Sequence, residues 1–431
     1  MRCLPLALAF LCSCVSLPAA PSVVDTLAAR GKLGIPLDQA RQLESHLGQL
    51  LVINVDGFGY AGPLALAPAF VQLVNGLQVG GVIPHYGSVD YDRIARTNHA
   101  LAALTTAPLL LCADIVKLRG ADGIASFGDG YVGGFLGHYR DLGDDELSTL
   151  ARLNAFVFTA LGLNVALGPT IDASTADPRV VDRARIVLAG MKAYGIQPVI
   201  KHYPALPAEA NLHRESPDTK LTADEAALKA DPFRVLAGDV GIMMTTHFRD
   251  TLVDASLVTF SSRWNALLRG RTGFQGLLMS DGLLMLKNYA DRTVLGGDLG
   301  VLTTRDVAGI DETAVWAARA ILAGHDMVIV EGSAAQTTRA FEGLVTLACS
   351  GSTGGRALLA RVEESYGRIM RWKNAHAAEL RRTVSVPAPV IRAVIALLPD
   401  ASARLTAFRF DPGRLARLAP DLTAAEAPSG G

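Results

Sequence analysis

Asp281 closes a short apolar run, Gly276-Leu277-Leu278-Met279-Ser280, and an apolar pattern resumes at Leu283-Leu284-Met285. A short apolar run between turn signals is the pattern of a strand buried on both faces. The carboxylate therefore stands where such a strand ends. Asp is also a favoured helix N-cap, and this stretch alone supports either role equally. Lys201-His202 ends a second apolar run. A buried amine beside an imidazole supplies two donors suited to sugar hydroxyls; the plainer alternatives are a lysine reaching water and a histidine satisfied in the core. The polar stretch 205–219 follows and carries His213. Its imidazole can donate or accept a proton near neutral pH once a substrate closes the loop, although a loop histidine is often merely solvated. A carboxylate on one strand end and a proton donor on a neighbouring loop are the working parts of a retaining glycosidase. The first attacks the anomeric carbon; the second protonates the leaving oxygen and later activates water.

Such residues need a frame that brings distant segments together. Eight strand-like apolar runs occur, at 50–55, 80–85, 108–114, 164–170, 196–203, 241–247, 276–281 and 325–330. Segments with helical periodicity lie between them, among them 91–104, 146–161, 182–194, 223–237 and 311–323. This alternation predicts an α/β fold, a (β/α)8 TIM-type barrel, in which active sites form at the C-terminal ends of the strands. A doubly wound open sheet gives a similar pattern. It usually carries a glycine-rich phosphate turn after its first strand, which Val55-Asp56-Gly57-Phe58-Gly59-Tyr60 does not complete. The barrel is further supported by the titratable residues at the ends of its runs, in order Asp56, His85, Asp114, Asp172, Lys201-His202, His247, Asp281 and Glu331. A helix over 23–48 is expected to close the barrel floor. Helices over 334–347 and 357–381 are expected to cover it, as a C-terminal helical extension.

The chain has 431 residues, 50% of them hydrophobic, with 40 basic and 41 acidic side chains and a net charge of -1. Nothing in that balance suggests nucleic acid as a partner. Met1-Arg2 followed by the apolar stretch 4–11 has the length of a signal peptide rather than of a spanning helix. Leu11-Cys12-Ser13-Cys14 resembles a bacterial lipoprotein cleavage box with Cys14 as the lipidated residue, which predicts an exported, membrane-anchored protein. The rival is cleavage near Ala19-Ala20, releasing a soluble form. Of five cysteines, only Cys112 and Cys349 lie outside this segment; two buried free thiols are expected. The expected organisation is a signal segment at 1–20, a barrel domain at 24–381, and a tail at 382–431 that is partly helical or disordered.

Four motifs in order resemble glycoside hydrolase family 3, especially its short single-domain bacterial β-N-acetylglucosaminidases. The family's Lys-His-Phe-Pro-Gly-His-Gly followed by Asp-Ser-His is echoed by Lys201-His202-Tyr203-Pro204-Ala205-Leu206-Pro207 followed by Asn211-Leu212-His213. Its Met-x-x-His matches Met244-Thr245-Thr246-His247, its Ser-Asp-Asp-Leu-x-Met is echoed by Ser280-Asp281-Gly282-Leu283-Leu284-Met285, and its Ala-Gly-x-Asp-Met matches Ala323-Gly324-His325-Asp326-Met327. The resemblance implies Asp281 as nucleophile and His213 as acid/base. It implies Lys201, His202, Asp114 and Met285 as the residues that hold the sugar, and no cofactor. The implied substrate is a terminal β-linked N-acetylhexosamine on a carbohydrate, such as a cell-wall fragment.

The chain also departs from that pattern. The Asp-x-His dyad becomes Asn211-Leu212-His213, and a neutral amide stabilises an imidazolium less well than a carboxylate. The Gly-His-Gly turn becomes Ala205-Leu206-Pro207, which is stiffer. The loop after Asp114 is rebuilt as Ile115-Val116-Lys117-Leu118, and the family's arginine after strand four has no clear counterpart in Asp172-Ala173-Ser174-Thr175-Ala176-Asp177. These departures carry an alternative reading, a surface lipoprotein that keeps the sugar pocket and has lost turnover. A metal-dependent enzyme using His202, His213, His247 and Asp281 is the weaker third reading, because those residues lack a ligand pair at fixed spacing.

Overall fold

A computed structural model describes residues 22–54, 68–84, 91–114, 119–120, 123–124, 142–172, 179–205, 218–289 and 299–396. Eight strands form its centre: β1 Leu51–Asn54, β2 Gly81–Ile83, β3 Leu110–Asp114, β4 Val165–Leu167, β5 Gln197–Tyr203, β6 Ile242–Thr245, β7 Leu277–Gly282 and β8 Met327–Val330. Each pairs in parallel with the next, and β8 pairs with β1, so the sheet closes on itself. The strands are buried almost throughout, as expected where helices cover a parallel sheet.

Helices supply the crossovers. Preceding the barrel are α1 Val23–Ala29 and α2 Leu37–Gln49. The connections use α3 Pro68–Leu77, α4 Tyr91–Ala102, α5 Asp144–Ala160, α6 Val180–Lys192, α7 Ala223–Leu236, α8 Ser262–Thr272 and α9 Glu312–Ala323. After β8 come α10 Ala334–Ala348, α11 Thr353–Ala375 and α12 Ala388–Ile395. Local chemistry fixes where they begin and end. Thr222 and Glu225 cap α7 reciprocally, and Ser333 and Gln336 do the same for α10. Gly273, at φ 68°, stops α8 four residues before β7 in a conformation that side chains resist.

The alternation of strands and helices is as the sequence predicts, with differences in detail. The single helix expected over 23–48 is two helices. Gly31 has φ 64°, and Pro36 is the N-cap of α2, so the chain turns between them. The expected 357–381 helix begins at Thr353 and gives way at His376 to a short turn of helix, Ala377–Leu380. The eighth strand starts at Met327 rather than at His325. Asp326 instead sits fully buried at the strand's entry, accepting from the Leu278 N–H at 2.9 Å and pairing with Arg269, Arg361 and Arg368. This cluster ties α8 and α11 to the floor of the barrel. Cys112 and Cys349 are buried free thiols, as expected.

Two irregularities lie inside the regular ladder. Between β5 and β6 the register runs from Ile200 opposite Met243 to Tyr203 opposite Thr245. Between β7 and β8 it runs from Met279 opposite Met327 to Gly282 opposite Ile329. Each time three steps on one strand match two on its neighbour, so each strand carries one extra residue, a β-bulge. The bulges fall at Lys201-His202 and at Ser280-Asp281.

Candidate active site

Alternation along a strand sends successive side chains to opposite faces. The β5 bulge relaxes that rule, and Lys201 and His202 both reach polar partners at the C-terminal mouth. The Lys201 Nζ donates to Asp114 Oδ1 at 2.5 Å, crossing over β4 to the end of β3. Asp172, just beyond β4, holds His202 twice. Its Oδ1 accepts the His202 backbone N–H at 2.7 Å, and its Oδ2 lies 2.6 Å from Nδ1. A carboxylate oxygen only accepts, so Nδ1 carries a hydrogen and Nε2 points away from Asp172.

His202 Nε2 lies 3.6 Å from Asp281 Oδ2. That is an ionic contact but too long for a hydrogen bond. The other oxygen, Oδ1, accepts the Gly282 N–H at 2.8 Å. Asp281 thus has one oxygen anchored to its own strand and a second that retains its accepting capacity. Burial by itself would raise the Asp281 pKa. The charges of His202, His247 and Lys201 and the Gly282 N–H outweigh it, and the carboxyl titrates below the ordinary aspartate range. For His202, burial pulls the pKa down, but the charge and hydrogen bond of Asp172 and the charge of Asp281 raise it above the usual histidine value, against the opposing charge of Lys201. Each group thus favours the charged form of the other.

Side chains replace ladder bonds around the β7 bulge. Ile329 N–H donates to Ser280 Oγ at 3.1 Å, and Ser280 Oγ donates to the Asp281 carbonyl at 2.8 Å. His247 Nε2 lies 2.9 Å from the Gly282 carbonyl. The absent side chain of Gly282 leaves room for the carboxylate end of a neighbour. A Cβ at that position would stand 2.4 to 2.8 Å from the carboxylate atoms of Glu331, the residue following β8.

Of the residues expected from sequence, Asp114, Lys201, His202 and Asp281 gather at one end of the barrel. Met285 lies in the 3-10 turn Leu283–Asn288 that follows β7 and is buried with the core. His213 and Asn211 lie outside the described residues, as do Cys14, Asp56 and His85. Three further residues of the site, Asp172, His247 and Glu331, are absent from the catalytic and sugar-binding set expected from sequence. Their signal is present there, since each follows a barrel strand and is titratable. Among the described residues, no group of three or more His, Cys, Asp or Glu is placed to hold a metal ion.

The family model for the glycosyl hydrolase family 3 N terminal domain matches residues 42–371. A beta-hexosaminidase of Bordetella avium is 33% identical over 143 residues, covering 29% of this chain and 41% of its own. One from Nitrosospira multiformis is 31% identical over 240 residues, 48% of this chain and 66% of its own. The chain thus spans less than half the length of the first of these relatives and about two thirds of the second. Among solved structures, the family 3 β-N-acetylglucosaminidase of Paenibacillus sp. str. FPU-7 superposes with a TM-score of 0.60 at 19% identity, over 90% of this chain and 70% of that one. A β-N-acetylhexosaminidase of Beutenbergia cavernae does so with a TM-score of 0.60 at 22% identity, over 77% and 98%. At these identities the two structures speak for the fold.

Proposed function

The chain belongs to glycosyl hydrolase family 3, and from that membership we propose that it is a retaining glycosidase that removes terminal β-linked N-acetylhexosamine from glycans. The observation that carries the reading is Asp281, ionised at the barrel mouth with one oxygen anchored and the other 3.6 Å from His202. In this reading Oδ2 attacks the anomeric carbon and the C–O bond to the leaving group breaks. His213 gives that oxygen a proton, and a glycosyl ester on Asp281 results. His213 then takes a proton from water, whose oxygen displaces Asp281 with a second inversion. Lys201, Asp114 and His202 bind the hydroxyls of the ring, and Met285 belongs to the turn beside it.

The substrate class rests on the names of the relatives, beta-hexosaminidases, and on the four motifs. An assay on an aryl N-acetyl-β-glucosaminide, parent beside Asp281→Asn, tests it. Turnover by the parent that is lost in the variant is expected; equal activity in both removes Asp281 as nucleophile. Asn211 in place of the family's aspartate favours one rival, a barrel that binds sugar without turning it over. Binding across a glycoside panel with no hydrolysis would establish that rival.

We also propose export with a lipid anchor at Cys14, supported by the sequence Leu11-Cys12-Ser13-Cys14 alone. Membrane-fraction protein that becomes soluble on Cys14→Ala is the expected result. No helix among the described residues is long and apolar enough to cross a membrane.

A further inference from the structure

We propose that His247 is a positioning residue for Asp281, holding the bulged end of β7 through the Gly282 carbonyl and presenting the carboxylate to the anomeric carbon. The inference rests on the glycosidase reading for its kinetic consequences, though not for its geometry.

His247 lies just past β6 and is fully buried. Its Nε2 faces the Gly282 carbonyl at 2.9 Å, and a carbonyl only accepts, so Nε2 carries a hydrogen. Its Nδ1 lies 2.6 Å from Thr259 Oγ1, and that hydroxyl lies 2.9 Å from the Thr246 carbonyl. The Thr259 hydroxyl has one hydrogen. When it goes to Nδ1, the imidazole is neutral. When it goes to Thr246, Nδ1 must itself donate, and the ring is a cation. Either way the Nε2–H bond to Gly282 persists. The backbone of His247 is held as well, its carbonyl accepting from Tyr289 Oη at 3.1 Å.

The target of this bond gives it meaning. Gly282 follows Asp281, and its N–H fixes Asp281 Oδ1 at 2.8 Å. A bulge disrupts the ladder bonds that would otherwise lock a strand end. Here Ser280 serves one side of the bulge and His247 the other. Loss of His247 would free the Gly282–Leu283 peptide, whose carbonyl it holds. That plane pivots on the same Cα as the Asp281–Gly282 peptide, whose N–H anchors Oδ1, so the anchor would loosen with it. Displacement of a reacting group by about 1 Å costs roughly 10²-fold in rate.

Other charged or titratable groups in this neighbourhood are His202 and Lys201 on β5, Glu331 after β8, Tyr289, and His325 on the floor side. Burial pushes the His325 pKa down to about 4, so it stays neutral near pH 7. Burial, with the Asp281 charge, also raises the Tyr289 phenol. In its cationic form His247 also lowers the Asp281 pKa, alongside His202 and Lys201.

The test compares parent, His247→Phe, Thr259→Val and Thr259→Ser, each checked for a parent-like thermal transition. Two readouts are taken: kcat and KM on an aryl N-acetyl-β-glucosaminide, and the titration of the Asp281 carboxyl by 13C NMR, assigned with Asp281→Asn. In His247→Phe, kcat is expected to fall by about 10²-fold with KM little changed, and the Asp281 carboxyl is expected to titrate at higher pH. Thr259→Val should shift both in the same direction, and Thr259→Ser should restore them. A folded His247→Phe with parent-like kcat and carboxyl titration overturns the proposal. An inactive parent would instead overturn the glycosidase reading, and the carboxyl titration alone would then decide the role of His247.

Discussion

Lys201 and Asp114 meet at 2.5 Å although they lie on strands separated by β4. The bulge in β5 and the last residue of β3 bring them together, and both are largely buried. Asp114→Asn keeps the shape but replaces a charged acceptor with a neutral one. In the proposed reaction this pair binds ring hydroxyls equally in ground and transition states. KM should therefore rise about 10- to 100-fold, the value of one hydrogen bond to a charged group, with kcat little changed. Steady-state kinetics on an aryl glycoside check this; a fall in kcat at constant KM would place Asp114 in the chemical step instead.

Asp172→Asn tests the other pairing. Asp172 supplies the charge and hydrogen bond that raise the His202 pKa against burial. Without it, burial is opposed only by the charge of Asp281, and the His202 pKa falls. Asp281 then has a less positive neighbour, and its depressed pKa rises. Because Asp281 must be ionised to attack, the acid limb of kcat/KM moves to higher pH. Rates measured on that limb fall about tenfold for each pH unit by which it moves. The same change has a stability signature. A histidine whose folded pKa is raised contributes stability below its unfolded value, near 6.5, and loses it as pH rises through the folded value. The stability gap between parent and variant should thus narrow as pH rises above neutrality, read by urea midpoints.

Asp326 belongs to the floor and not to the chemistry. Its fully buried carboxylate faces three arginines and a backbone N–H. Removing the charge leaves three part-buried guanidinium groups without their shared partner, so Asp326→Asn should cost about 3 kcal/mol of stability. Denaturant unfolding checks this. Residual folded protein should keep its KM, since the cluster lies at the opposite end of the barrel from Asp281.

Lys373, on α11, has its amine fully buried between Gln49 Oε1 and the Gly80 carbonyl, each at 2.8 Å. A neutral amine has two hydrogens for those two acceptors. Burial pushes its pKa down to about 7. The unfolded chain binds this proton far more tightly, so stability should increase as pH rises from about 7 toward 10, by roughly 4 kcal/mol from this one group. Lys373→Met should flatten that slope. A variant with the parent's slope would show that the amine stays charged in the fold.

Much of this was legible in the sequence because a (β/α)8 barrel repeats one signal eight times. Each apolar run is short, each is followed by a titratable residue, and their order is their order around the barrel. Asp114, Lys201, His202 and Asp281 could be found on that basis. The two bulges could not. An extra residue at the polar end of a strand leaves the apolar run before it unchanged, and only pairing with a neighbour exposes it. The partners of His202 were hidden for a similar reason: Asp172 is distant in sequence, and its reach depends on how β4 ends. Glu331 stands in the sequence as one more titratable strand end, and its place beside Gly282 appears only in the fold. The break in the first helix was within reach, since Gly31 and Pro36 stand in the sequence, but the apolar pattern runs through them.

The claim on which the rest depends is that Asp281 forms a covalent bond to the sugar. A fluorinated amino-sugar donor that slows release of the glycosyl ester, followed by mass mapping of the tryptic digest, tests it directly. The account predicts one label, on Asp281, within the peptide 272–287. A label on Asp114, Asp172 or Glu331, or the absence of any label from a protein that turns over the parent glycoside, would contradict it.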